Sequence, residues 1–168
     1  MFDINQQALT EAQELHIGID NGLKGAIVAL NEKAFPVAWW DTPTINMGKG
    51  KSEKYEFLPK EMAGVLRFLV QKGPSQVKAW LEVAHAMQKQ GLASTFKTGR
   101  GFGLWEGIVS GLAIPYDIVR ATTWQKAVLK DVPKGDPKQR SILKCQRVFP
   151  QIILTCPKSA RIISDMPL

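Results

Sequence analysis

Apolar and polar residues alternate from His16 to Ile19, and again across residues 25–31 and 35–42, which is the two-residue period of half-buried strands. The first two runs are joined by Asn21-Gly22-Leu23-Lys24, a tight-turn sequence, and the third is closed by Pro43. The pattern predicts a three-strand meander. Between residues 57 and 72 the period changes: Leu58, Met62, Val65, Leu66 and Leu69 recur at helical spacing behind Pro59 and stop before Gly73-Pro74. A strand over 77–83 follows. A strand entered through a crossover helix pairs parallel with an earlier strand of the same sheet, so 77–83 is placed against the free edge of 17–20. Further on, Leu104, Ile108 and Leu112 mark a helix that starts at Ser94 or Thr95, and Gly99, Gly103, Gly107 and Gly111 fall every fourth residue along it. Each interior glycine costs about 1 kcal/mol of helix stability relative to alanine, so a close approach is expected to use the stripe. A neighbouring element of the same domain is the first candidate, with a dimer partner or a nucleic-acid backbone as the others. Residues 116–121 read as another strand. A short helix over 122–129, capped by Thr122, and a helix over 137–149, capped by Asp136, follow. Residues 1–14 read as a polar lead-in that forms a short helix or frays, and 45–55 as an exposed loop whose lysines are solvated or touch phosphate.

One carboxylate stands out against this pattern. Asp20 closes the first strand, where an ionised group buried without a partner costs several kcal/mol. Either it caps the Asn-Gly turn or it holds a cation. Glu82 closes the parallel strand, and neighbouring strands lie about 5 Å apart. Two acids at that spacing repel unless a divalent cation lies between them; the alternative for Glu82 is a solvated acid at a strand end.

The 168 residues, 45% hydrophobic and 22% charged, fit one soluble domain spanning 1–168. The formal net charge of +7 points toward a polyanionic partner. The charge is concentrated: residues 126–161 carry nine basic side chains against Asp131 and Asp136 alone, and a run of one sign favours phosphate contact over a solvated face. Cys145 and Cys156 show no zinc-ligand spacing and read as free thiols. Gly99-Arg-Gly-Phe-Gly103 lacks the spacing and context of a phosphate-binding loop. No targeting segment and no membrane-length apolar run occur, so a cytoplasmic protein without membrane contact is expected. Carboxylates on a mixed sheet beside a basic surface suit phosphodiester hydrolysis by two Mg²⁺ ions.

Four blocks in order, Gly18-Ile-Asp-Asn-Gly-Leu-Lys-Gly-Ala26, Leu81-Glu-Val-Ala-His-Ala-Met87, Lys89-Gln-Gly-Leu-Ala-Ser-Thr-Phe96 and Gly99-Arg-Gly-Phe-Gly-Leu-Trp-Glu-Gly107, resemble the RuvC-type Holliday junction resolvases, especially their compact phage and organellar branch. Ile114-Pro-Tyr116 and Thr123-Trp-Gln-Lys126 extend the resemblance, which runs over about 15–165. It implies an α/β, RNase H-like mixed five-stranded sheet flanked by helices. It also implies a homodimeric, Mg²⁺-dependent endonuclease that nicks four-way (branched) DNA symmetrically, with Mn²⁺ able to substitute. Asp20 and Glu82 match the family's metal ligands on the first and fourth strands, and Asp165 matches the first of its two final acidic positions. The second position falls at Leu168, so the closing helix is expected to be missing from a truncated chain. His85 falls where relatives place an aromatic at the junction centre; a helix-start residue with a local hydrogen bond is the alternative. Lys126 and Lys138 fall on the family's DNA-facing surface, with Lys89, Lys97, Arg100 and Arg140 as further candidate contacts. Two other readings remain open: a junction-binding protein with impaired catalysis, and an RNase H-like nuclease or transposase domain acting on another nucleic acid.

Overall fold

The computed structural model describes residues 2–49, 54–83 and 91–150, and the backbone of two strands at 152–155 and 161–164. The chain forms two compact units, residues 1–119 and residues 120–168.

In the first unit the elements run β1 (Phe2–Ile4), α1 (Gln6–Glu11), β2 (Glu14–Ile19), β3 (Ala26–Asn31), β4 (Pro36–Asp41), β5 (Thr44–Asn46), β6 (Tyr55–Phe57), α2 (Pro59–Lys72), β7 (Gln76–Glu82), α3 (Leu92–Gly111) and β8 (Tyr116–Val119). Six strands form one sheet in the order β1-β4-β3-β2-β7-β8. Tight turns make the β2, β3 and β4 neighbours antiparallel, whereas the α2 and α3 crossovers make β7 parallel to β2 and β8 parallel to β7. With the edge strand β1 set aside, this is the order and direction of an RNase H-like sheet, so the expected α/β fold class holds.

The sixth strand comes from the lead-in. Phe2 and Ile4 pair with Trp40 and Ala38 of β4, and Asn5 caps α1 by accepting the Ala8 N–H at 2.9 Å. Leu9 is then sealed in the core at 1% exposure. Residues 45–55 also differ from expectation, because β5 and β6 pair as a short hairpin and narrow the loop between them.

Although Trp39 of β4, which pairs with Val28, is buried on the opposite face, most of the core lies on one face of the sheet. Leu15, Ile17 and Ile19 of β2 point into it together with Ile27 and Ala29 of β3 and Ala79 and Leu81 of β7, as the two-residue period dictates. Met62, Leu66 and Leu69 of α2 and Trp105 and Val109 of α3 cover that face, all fully buried. α3 starts at Leu92 after Gly91, two or three residues before the expected start. Its expected glycine stripe is corrected: a Cβ at Gly99, Gly103, Gly107 or Gly111 would meet nothing within 4 Å among the described residues. No described element of the same unit uses it. The close approach is at Gly101, where a Cβ would lie 2.5 Å from the Asn21 carbonyl oxygen and 2.7 Å from the Phe57 ring.

The second unit contains α4 (Ala121–Val128), α5 (Pro137–Val148) and an antiparallel pair, β9 (Ile152–Thr155) with β10 (Arg161–Ser164). Asp136 caps α5 as expected, its carboxylate accepting the Gln139 N–H at 3.0 Å with Pro137 at the first helical position. α4 begins one residue earlier than expected, after Arg120, and no side chain caps it, so Thr122 lies inside the helix. No helix among the described residues is long and apolar enough to cross a membrane.

Candidate active site

Ile19 and Leu81 are register partners in the parallel β2–β7 ladder, and both face the core at 3% and 0% exposure. The next residue on each strand, Asp20 and Glu82, therefore turns to the opposite face, on adjacent strands spaced about 5 Å apart. Asn21 fixes this juxtaposition. Its side chain is 9% exposed, and Nδ2 donates to the Glu82 carbonyl oxygen at 2.5 Å, bolting the end of one strand to the end of the other. The ladder continues past the acid, since Val83 N–H donates to the Val119 carbonyl at 2.9 Å. The sequence pattern marks Asn21 as a turn residue only. The available signal was an amide placed at the mouth of an expected parallel pair, where strand-end backbone needs a partner.

Asp20 itself is exposed, so the burial cost inferred from its strand position is not incurred. Its Oδ1 accepts the Gly22 N–H at 3.0 Å, which is the turn-capping role. Capping occupies one oxygen of the carboxylate, and the second sits on the same exposed group. Two glycines shape the turn. A Cβ at Gly25 would overlap the Asp20 carbonyl oxygen, and Gly101 lets α3 lie directly behind Asn21. Thr42, 4% exposed, closes the other side, with Oγ1 donating to the Asp20 carbonyl at 3.4 Å.

Carboxylate oxygens are hard donors, and Mg²⁺ is commonly held by one or two of them together with waters and substrate phosphates. Asp20 and Glu82 fit that demand. Asp41 ends β4 opposite Ala26 in the same row, two strand spacings, about 10 Å, from Asp20. Among the described residues no three His, Cys, Asp or Glu side chains are grouped to hold a metal. Asp165, His85 and Lys89 lie outside the described residues.

The remaining expected contacts divide into two groups. Lys97 and Arg100 on α3 both turn to Glu56, at 4.0 Å and 2.8 Å, which neutralises part of their charge inside the unit. Arg140 is half-buried, and its guanidinium donates to the Leu129 and Val132 carbonyls at 2.7 Å and 3.3 Å. Lys126 on α4 and Lys138 on α5 are exposed, as are Lys130 and Lys134 between them. Cys145 is a free thiol, half-buried, and burial raises its pKa above the ordinary thiol value.

No protein-family model and no curated protein sequence matches the chain. Among solved structures, the RuvC structure of Thermus thermophilus is 16% identical with a TM-score of 0.48, the match covering 86% of this chain and 86% of that one. T. thermophilus RuvC in complex with Holliday junction substrate is 14% identical with a TM-score of 0.38, over 89% of this chain and 99% of that one.

Proposed function

We propose that the chain is a Mg²⁺-dependent endonuclease that hydrolyses phosphodiester bonds at four-way DNA junctions, working as a pair of copies so that two strands are nicked symmetrically. The observation that carries this reading is the placement of Asp20 and Glu82 side by side at the carboxyl ends of β2 and β7, with Asn21 fixing the two strand ends. Asp20, Glu82 and Asp165 would hold the metal, with Mn²⁺ able to substitute. When bound, the metal supplies an activated water and neutralises charge on the departing oxygen. Asn21, Thr42 and Gly25 hold the Asp20 backbone in place, so the carboxylate is presented to solvent without reorganisation. The exposed Lys126, Lys130, Lys134 and Lys138 suit phosphate contacts that position the DNA without reading its sequence.

The test is incubation with a synthetic four-way junction and with linear duplex in Mg²⁺ or Mn²⁺. The expected result is paired nicks on the junction that disappear in Asp20→Asn. This substitution keeps an oxygen for the Gly22 N–H and removes only the charge. Nicks that survive it, or an uncut junction in both metals, overturn the reading. The exposed lysines favour one second reading, a protein that binds junctions without cutting them; salt-sensitive junction binding with no cleavage is its mark.

A further inference from the structure

Gly101 marks the level at which α3 crosses the carboxyl edge of the sheet, since a Cβ there would touch the Asn21 carbonyl oxygen and the Phe57 ring. Trp105 and Val109, about one and two turns further on, are buried over the sheet. The nine residues before Gly101, 92–100, therefore stand beyond that edge as a wall about 13 Å long, beside the strand ends that carry Asp20 and Glu82. The wall carries charge of one sign. Residues 84–105 contain no Asp or Glu, and Glu106 is the first acid on the helix. The counter-charge is lent by another element. Glu56 of β6 accepts from Arg100 Nη1 at 2.8 Å, and its other oxygen lies 4.0 Å from Lys97 Nζ. Two cations converging on the oxygens of one anion is also how a backbone phosphate is held.

The backbone around Glu56 is fixed. Asn46 Oδ1 accepts the Gly48 and Lys54 N–H groups at 2.9 Å and 3.1 Å, and Phe57 is buried against Gly101. The side chains of Glu56, Lys97 and Arg100 are 32%, 37% and 40% exposed, so rotation of side chains alone frees the two cations. Ion pairs this open to water add little stability, and folding therefore does not account for a carboxylate placed here.

We propose that Glu56 is a stand-in for a DNA backbone phosphate: its carboxylate fills the Lys97–Arg100 site in the free protein, and a phosphate of the bound strand displaces it. The proposal rests on the DNA-cutting function proposed above and adds to it a residue that sets selectivity. Phosphate wins the exchange because DNA binding releases counterions and because the Arg100 fork takes two phosphate oxygens at once. Nucleic acid that does not place a phosphate at this point meets two cations already neutralised. Glu56 thus lowers affinity for loosely fitting strands more than for a strand drawn up to the acids.

Fluorescence anisotropy on the full chain, with a labelled four-way junction and a labelled duplex and no divalent metal, tests the exchange. Circular dichroism checks folding, which these partly exposed positions should preserve. Glu56→Gln keeps the size of the side chain and should tighten junction binding about fivefold, whereas Lys97→Ala with Arg100→Ala should weaken it about tenfold. The chain lacking both cations should also show a dependence of log affinity on log salt that is shallower by about one or two, which loss of a structural contact would not produce. Adding Glu56→Gln to that chain should change affinity by less than about twofold, because the carboxylate acts only through the two cations. Glu61→Gln, which removes an exposed acid of α2, should leave binding unchanged. Tightening by Glu56→Gln that persists without Lys97 and Arg100 is general repulsion and overturns the proposal. Junction affinity unmoved by loss of the two cations overturns it as well, because they then remain on Glu56. Junction binding without cutting in Mg²⁺ overturns the nuclease reading alone, and a chain that binds neither DNA overturns both.

Discussion

In residues 1–119 the helices reach the sheet through apolar side chains: Met62, Leu66 and Leu69 of α2 and Trp105 and Val109 of α3 are sealed against Ile17, Ile19 and Leu81. In residues 120–168 neither α4 nor α5 buries a side chain, and the segment joining them is held mostly by charge. Lys144 Nζ lies 2.9 Å from both carboxylate oxygens of Asp131, Arg147 donates to the Asp131 carbonyl at 3.2 Å, and Arg140 spans the Leu129 and Val132 carbonyls. Only Leu129 and Val132 in that segment are buried. The difference is one of failure modes. Apolar burial is non-directional and insensitive to pH, whereas the carbonyl clamps depend on single donors and the Asp131–Lys144 pair also on its ionisation.

The comparison is broken most forcefully in the first unit. Trp105→Ala should cost about 3–5 kcal/mol in urea unfolding, the usual price of emptying a large core site, because the indole is fully buried. A result under about 1 kcal/mol would mean that the apolar core does not carry the unit. Arg140→Ala comes next. It leaves two carbonyls without their donor, an expected loss of about 1–3 kcal/mol, visible as faster amide hydrogen exchange in α4 and α5. Lys138→Ala, on an exposed side chain of the same helix, should leave exchange unchanged.

Acid sharpens the contrast further. Lys144, through its hydrogen bond, holds the Asp131 carboxyl below the ordinary value of 3.8. Because the folded-state pKa is depressed, its contribution is complete above that ordinary value and is lost as pH falls through the lowered one. Titration followed by NMR should show the Asp131 and Lys144 signals shifting together over that acid range; independent titration would dissolve the pair. The smallest effect lies on α3. Gly103→Ala should stabilise a dilute sample by up to about 1 kcal/mol, since open space receives the methyl group. Gly101→Ala, which forces a methyl against Asn21 and Phe57, should destabilise it.

These residues also show what could be read from the chain alone. The meander and the crossover were legible because Leu15, Ile17 and Ile19, and then Met62, Leu66 and Leu69, repeat long enough to fix a period. β1 was not, since three residues are too few to establish one, and the six residues of α1 left a short helix and a frayed end as equal readings. The glycines of α3 exposed a different limit: periodicity says which residues share a face, not which face is buried. The register of Trp105 and Val109 with Gly101 held the answer, but the more regular stripe drew the inference. The nearness of Asp20 and Glu82 followed from topology, whereas the bond made by Asn21 depends on how two strand ends meet and leaves no local trace. In the basic segment, net charge counted Arg140, Lys144 and Arg147 as free for phosphate, when carbonyls and Asp131 already engage them.

The Asn21–Glu82 bond joins groups 61 residues apart in the chain. β2, β3 and β4 can zip together through short turns, but β7 must first close the long excursion through the β5–β6 hairpin and α2, and such non-local pairings are slow to form. The two acids are therefore expected to meet only after the meander has formed. A divalent cation held by the finished pair should slow unfolding while leaving the refolding rate unchanged, because the nucleus that sets that rate offers it nothing to bind.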